Sequence, residues 1–259
     1  MSKEAKSIIF YHRSYRKMSA TPGFFVMQFF MFAFPLSLMV AILFPVMTHA
    51  LSRMAQAVLA PYFPPDTLTV VQNPFLNRTA FFLALPSVHP SKLFAAVNAV
   101  VSLIILFMLP RLRHAKHVFI FLVVVFFINI VSSLFFTFFP ERFPYQASDY
   151  SELYIKQQVG IWFFAPLIMG LAILPLPASA LSKLATLGAA FCYSLVFGTI
   201  RYIAFLFILT KATLLCMAIL FFVFGPLVDF IYIVGIYSVY VTRLAKKLKG
   251  DFTTWKWLY

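Results

Sequence analysis

Six long apolar runs constrain this chain more than any other feature of its sequence. A helix needs about 20 apolar residues to cross the roughly 30 Å hydrocarbon core of a bilayer. Because each run is continuously apolar and does not alternate with polar residues, we expect helices and not the strands of a β-barrel. The predicted spans are Phe24–Met47, Leu93–Leu109, Val118–Phe139, Val159–Leu176, Leu184–Thr210 and Ala212–Tyr240.

The composition agrees with this interpretation and excludes a soluble globular protein. Hydrophobic residues make up 63% of the chain and charged residues only 11%, whereas soluble domains have about 45–50% apolar and about 25% charged residues. Such a chain cannot cover a surface that faces water. The sequence therefore predicts an all-α polytopic membrane protein, a bundle of about six transmembrane helices.

The charge of the chain indicates its orientation. Its 21 basic and 7 acidic residues give a formal net charge of +14, which in a soluble protein would suggest a nucleic-acid partner. Here 14 basic residues precede the first span, follow the sixth, or lie in the loops on that same side, against 6 on the opposite side. Since short loops rich in Lys and Arg stay in the cytoplasm, both termini are predicted to be cytoplasmic, and no nucleic-acid partner is expected.

This topology divides the chain into three parts. They are a cytoplasmic basic N-terminal segment at 1–22, a six-helix transmembrane domain at 23–241 with outer segments at 48–90 and 140–158, and a cytoplasmic basic and aromatic tail at 242–259.

The outer segments contain four local signals. The apolar spacing of Ala50–Ala60 predicts an amphipathic helix that continues the first span or lies along the membrane surface. Several prolines and the Asn73-Pro74 step are expected to break regular structure. The apolar island Phe81–Leu85 is too short to cross, so it dips into the interface or packs across the mouth of the bundle. Asp149 is predicted to cap a helix that leads into the fourth span.

Two ionisable residues lie inside the predicted spans, Arg201 and Asp229. Such a residue costs about 2.5–3.5 kcal/mol at the centre of an inserted helix, so a functional role is the default hypothesis. Tyr232 lies three residues beyond Asp229, on the same side of the helix. These three residues are the candidate binding site; the alternative is that they only fix the packing of helices.

Depth arithmetic argues against direct pairing of the two charges. At a rise of 1.5 Å per residue, Arg201 lies about 14 Å below the outer turn at Lys211, and Asp229 about 27 Å below it. A straight sixth helix therefore separates them by roughly 13 Å. Only a kink or tilt at the Gly225-Pro226 step would bring them together.

Small and polar residues predict how the helices pack. Ala190, Ser194 and Gly198 recur every four residues in the fifth span, which lets another helix approach closely. Asn98 and Asn129, in the second and third spans, are the expected hydrogen-bonded pair between those helices.

A weaker candidate site lies on the outer face. Arg78, His89 and Lys92 lie in or next to the outer Pro-rich segment and could contact an anionic lipid headgroup. The sequence contains no cluster of Cys and His with metal-ligand spacing, so neither a metal nor a cofactor is expected.

These observations leave three hypotheses. The first is a non-catalytic subunit or scaffold of a multi-component envelope complex in a bacterial inner membrane. The second is a transporter or channel for a small or lipid-like anion that uses Arg201 and Asp229. The third is a lipid-modifying enzyme with an outward-facing site. The expected partners are other membrane proteins and membrane lipids, with the anionic inner leaflet contacted through Arg243, Lys246, Lys247 and Lys249.

Overall fold

The computed structural model describes residues 22–109 and 116–247, and it is 79% helical. The basic N-terminal segment and Lys249 lie outside this part of the chain. The helices are α1 (Pro22–Gln28), α2 (Phe34–Leu59), α3 (Lys92–Met108), α4 (Lys116–Phe138), α5 (Ala147–Ile173), α6 (Ala180–Lys211), α7 (Met217–Phe222) and α8 (Pro226–Lys247), and the strands are β1 (Thr69–Phe75) and β2 (Arg78–Ala84).

The long helices agree with the predicted membrane class of the protein. Five stretches in the described residues are long and apolar enough to cross a bilayer, and they are compatible with an integral membrane protein. The first runs from Gly23 to Tyr62, because a π-helical turn joins α1 to α2 without a break. The helix predicted at Ala50–Ala60 is therefore the continuation of the first span. The sixth apolar helix, α3, has 17 residues and is shorter than the others.

The predicted sixth span is not one straight helix. A short turn at Leu214–Cys216 leads into α7, which ends at Phe222, and α8 begins at Pro226. The break falls at the Gly225-Pro226 step, since proline lacks a backbone N–H and its ring clashes with the carbonyl four residues earlier. The expected kink is therefore a complete interruption of the helix.

A β-hairpin corrects the expectation that the chain is entirely helical. β1 and β2 pair antiparallel, and the turn between them places Leu76 and Asn77 at positive φ angles of 48° and 61°. Two consecutive residues with positive φ form the turn whose twist matches a hairpin. Pro74 lies inside β1, so the prediction that it breaks regular structure was wrong. Proline is accommodated because both strands of a two-stranded sheet are edge strands.

The hairpin lies along the second half of the first long helix. Gln56 Nε2 donates to the carbonyl of Leu68 at 2.8 Å, near the start of the hairpin. Arg78 Nη1, at its turn, donates to the carbonyl of Ile42 at 2.7 Å. These contacts on α2 are 14 residues apart, which corresponds to about 21 Å of helix. The apolar island at Phe81–Leu85 belongs mainly to β2. Leu83, within it, is fully buried in the core between the helices.

Two hydrogen bonds join α3 to α4, and they differ from the expected asparagine pair. Asn98 Nδ2 donates to Ser133 Oγ at 2.8 Å, and Asn129 Nδ2 donates to Ser102 Oγ at 2.7 Å. The predicted direct pairing of Asn98 with Asn129 was therefore wrong, although both residues do lie at this interface.

The first turn of α5 is capped differently from the prediction. Gln146 is the N-cap residue, and Asp149 occupies the third helical position, where its carboxylate accepts from the Gln146 backbone N–H at 2.7 Å. This capping box starts α5 at Ala147, twelve residues before the predicted span.

A pair of double-mutant cycles would test the α3–α4 interface. We expect a coupling free energy of about 0.6 kcal/mol between Asn98→Ala and Ser133→Ala, the average for an interhelical hydrogen bond in a membrane protein. The control cycle pairs Asn98→Ala with Asn129→Ala and should show a smaller coupling, measured by unfolding in detergent. A larger coupling in the control cycle would contradict this interface.

Candidate functional site

The candidate site is built around Arg201, which lies on α6 and is 5% exposed. Its Nε donates to the Tyr154 hydroxyl at 2.9 Å, and its Nη1 donates to the Gly225 carbonyl at 3.1 Å. Its Nη2 donates to Gln158 Oε1 at 3.0 Å and to Asp229 Oδ2 at 2.6 Å. The guanidinium therefore connects α5, α6, α8 and the break before α8.

The interruption of the sixth span brings the two charges together. Asp229 lies in the first turn of α8 and is 3% exposed. The depth arithmetic that separated it from Arg201 treated the sixth span as one straight helix, and it was wrong because the chain leaves the helix between Phe222 and Pro226. At the same break the Gly225 carbonyl accepts from Arg201 Nη1 and also from the Val228 backbone N–H at 3.2 Å, at the start of α8.

Two residues of α5 form the other wall of the site. Tyr154 and Gln158 are four residues apart and therefore lie on one helix face. The Tyr154 hydroxyl accepts from Arg201 and itself donates to the Gly198 carbonyl at 2.9 Å. A Cβ atom at Gly198 would lie 2.6 Å from Gln158 Nε2. A larger residue here would displace the Gln158 side chain from Arg201, which agrees with close packing of the small-residue stripe on α6 against another helix.

Tyr232 lies beside the charged pair. Its hydroxyl donates to Ser194 Oγ at 2.7 Å, and this bond ties α8 to the same small-residue stripe. The ring of Phe197 lies 6.0 Å from the ring of Tyr232 and 5.6 Å from the guanidinium carbon of Arg201. The structure thus brings together all three residues of the predicted binding site.

The outer candidates are not brought together in the same way. Arg78 lies at the hairpin turn, whereas His89 and Lys92 follow the opposite end of β2. Seven residues of strand span about 23 Å, so Arg78 and the other two residues follow from opposite ends of β2. Within the described residues, moreover, the structure shows no group of three His, Cys, Asp or Glu side chains that could hold a metal ion.

Sequence reasoning missed the tyrosine side of the site and the burial of a lysine at the other end of α6. Tyr150 and Tyr154 lie outside the predicted spans, but both are almost completely buried in the protein. Their spacing with Gln158, every four residues, was the available signal of a single buried helix face. Lys183 falls between the fourth and fifth predicted spans, among the basic residues of the predicted cytoplasmic side, but it lies in the first turn of α6 and is 2% exposed.

At the Arg201 site the charges of Arg201 and Asp229 neutralise each other, and the guanidinium donates its hydrogen bonds to acceptors within the protein. Four hydrogen bonds engage the guanidinium, and the single negative charge of Asp229 balances its positive charge. Charge-assisted bonds of this kind hold their partners in a fixed geometry. The arrangement therefore fixes four chain segments relative to one another.

Comparison with known proteins adds nothing to this description. No protein-family model, curated protein or solved structure matches the chain. The functional interpretation rests on geometry and chemistry alone.

Removing either member of the charged pair should destabilise the fold strongly. We expect Arg201→Gln and Asp229→Asn each to lower the free energy of unfolding by about 3–5 kcal/mol, because each leaves a buried charge without its partner. Thermal unfolding of the purified protein in detergent would measure this loss.

The second ion pair of the described chain provides a matched control. Lys156 Nζ lies 2.5 Å from Glu152 Oε1, one turn away on α5, and both side chains are partly exposed. Lys156→Gln should cost about 0–1 kcal/mol, as surface pairs do. An equal loss of unfolding free energy in Lys156→Gln and Arg201→Gln would contradict the assignment of Arg201 as the residue that holds α5, α6 and α8 together.

Proposed function

We propose that this chain is a non-catalytic subunit or scaffold of a multi-component membrane complex. The observation that carries the proposal is the contrast between a polar centre bonded within the protein and a peripheral helical hairpin, α3–α4. The Arg201 network uses the strongest polar groups of the bundle to fix its shape. The α3–α4 helical hairpin, in contrast, leaves most of its apolar side chains exposed on the surface of the protein.

The α3–α4 hairpin supports this role by its burial and its composition. In the most apolar window of α4, only 6% of the residues are buried, against 22–44% in the other four long helices. The outward residues of α4 include Val124, Phe127 and Val131, all of them at least 46% exposed. Large apolar surfaces of this kind suit contact with helices of a partner protein or with lipid chains.

Transport of an anion with Arg201 as the binding charge has less support. An anion at this position would have to compete with Asp229, Tyr154 and Gln158 for the guanidinium. Such a carrier would therefore have to break the contacts that hold α5, α6 and α8 together in this structure.

We further propose a bacterial inner membrane as the location, with both chain termini in the cytoplasm. The excess of basic residues on the predicted inner side supports this orientation. In this orientation Arg243, Lys246 and Lys247 at the end of α8 face the anionic inner leaflet, and Lys249 follows them in the sequence.

Native electrophoresis of mildly solubilised membranes would test the scaffold role. We expect the chain to migrate in a complex larger than its own 29.6 kDa. Phe127→Ala combined with Val131→Ala should reduce this complex, because both side chains lie on the open face of α4. Phe230→Ala, an equally exposed phenylalanine on α8, is the matched control. Migration of the functional wild-type chain as a monomer would contradict the proposal.

Reporter fusions would test the orientation separately. An enzyme that is active only outside the cytoplasm should be inactive after Tyr259 and active when inserted at Asp66, in the outer segment between α2 and β1. The opposite pattern would reverse the predicted topology without affecting the proposal of a scaffold.

A further inference from the structure

A large cavity lies between the first half of α6 and the second half of α8. Its volume is about 1240 Å³, and its open end is formed by the α5–α6 connection, the start of α6 and the end of α8. Its inner end is lined by Tyr193 and Tyr232, next to the Arg201 site. Lys183 and Tyr193 are ten residues apart on α6, so the cavity extends over about 15 Å of that helix.

The open end of this cavity is basic. Lys183 on α6 and Arg243 and Lys247 on α8 line it, and none of the described lining residues is acidic. Arg243 and Lys247 are four residues apart, so they project from the same face of α8. The positive end of the α6 helix dipole lies at the same end of the cavity and adds to its attraction for an anion.

Lys183 gives the strongest indication of a ligand. Its Nζ donates to Gln28 Oε1 at 2.9 Å and to the Leu174 carbonyl at 2.6 Å, both of them uncharged acceptors. In the described part of the chain it forms no ion pair, although it is 2% exposed. A buried charge is costly unless it is paired, so an anion at this position would supply the missing negative charge.

The Tyr240 hydroxyl is a second polar group at the cavity, and it lacks a hydrogen-bond partner among the described residues. Tyr240 lines the cavity and is 8% exposed, and its hydroxyl makes no hydrogen bond with the described residues. It lies three residues before Arg243, on the same side of α8. A ligand with several acceptor oxygens could accept from both side chains.

Beyond its basic end the cavity is mainly apolar. Ala185 and Ala189 on α6 face Ile236 and Val239 on α8, and the small alanine side chains leave the space between the helices open. An apolar slot behind a basic opening matches the chemistry of a phospholipid: an acidic headgroup followed by a hydrocarbon chain.

We propose that this cavity binds an acidic phospholipid of the surrounding membrane. The headgroup phosphate would lie among Lys183, Arg243 and Lys247, and one acyl chain would enter between Ala189 and Ile236. The inference does not depend on the scaffold role, because a structural lipid site suits any integral membrane protein of this shape.

Thermal unfolding of the purified full-length chain with added lipid tests the site. Phosphatidylglycerol should raise the unfolding temperature, and phosphatidylcholine, which carries no net charge, should raise it much less. Arg243→Gln combined with Lys247→Gln should weaken the phosphatidylglycerol effect about tenfold in lipid concentration, the loss expected for charge-assisted bonds to phosphate. These two residues are exposed, so the fold should survive the change.

Lys246→Gln is the matched control for the headgroup. It removes one positive charge from the same end of α8, where the double variant removes two, but Lys246 does not line the cavity, so the response to phosphatidylglycerol should persist. Equal responses of Lys246→Gln and the double variant would overturn the headgroup assignment.

A third variant separates a lipid from a free anion. Ala189→Trp fills the apolar slot without changing the charges, so it should abolish the phosphatidylglycerol effect. Inorganic phosphate at matched concentration should produce little stabilisation in any variant. Full stabilisation by phosphate alone, an unchanged response of Ala189→Trp, or equal responses to both lipids would each overturn the proposal.

Discussion

The structure depends on how a positive charge is accommodated inside an apolar bundle. Arg201 cannot reach water from its buried position, so the protein supplies its counter-charge and acceptors: Asp229 and the Gly225 carbonyl from the sixth span, Tyr154 and Gln158 from α5. These groups come from α5, from the break before α8 and from α8 itself. The single guanidinium thereby determines how α5, α6 and α8 are placed relative to one another.

The two buried cations of α6 are treated differently, and the contrast separates structure from binding. Arg201 is paired with a carboxylate and bonded on four sides, which suits a permanent structural role. Lys183 has only neutral acceptors and opens onto a cavity with further basic residues. The first charge therefore needs no ligand, whereas the second is best matched by an anion from outside the chain.

Much of this architecture could be predicted from the sequence, because hydropathy and helix length depend on local composition. The charged pair was found as two residues, but its geometry could not be, since a rise of 1.5 Å per residue applies only to an unbroken helix. The β-hairpin was not predicted, because its turn contains Leu76 and Asn77 without the glycine that usually marks such a turn. The burial of Lys183 depends on Gln28, 155 residues away, a contact that no local pattern reveals.

The central claim is that Arg201 and Asp229 form a unit whose purpose is structural. The most direct measurement is the unfolding temperature of the double variant Arg201→Met, Asp229→Leu, compared with each single change. Apolar residues of similar volume can replace a buried ion pair at little cost, whereas removal of one partner is strongly destabilising. The account predicts a double variant that is more stable than both single variants, because neither buried charge is left without its partner. It should remain less stable than the wild type, because the bonds of Arg201 to Tyr154, Gln158 and Gly225 are lost. A double variant as unstable as the sum of the two single changes would contradict it.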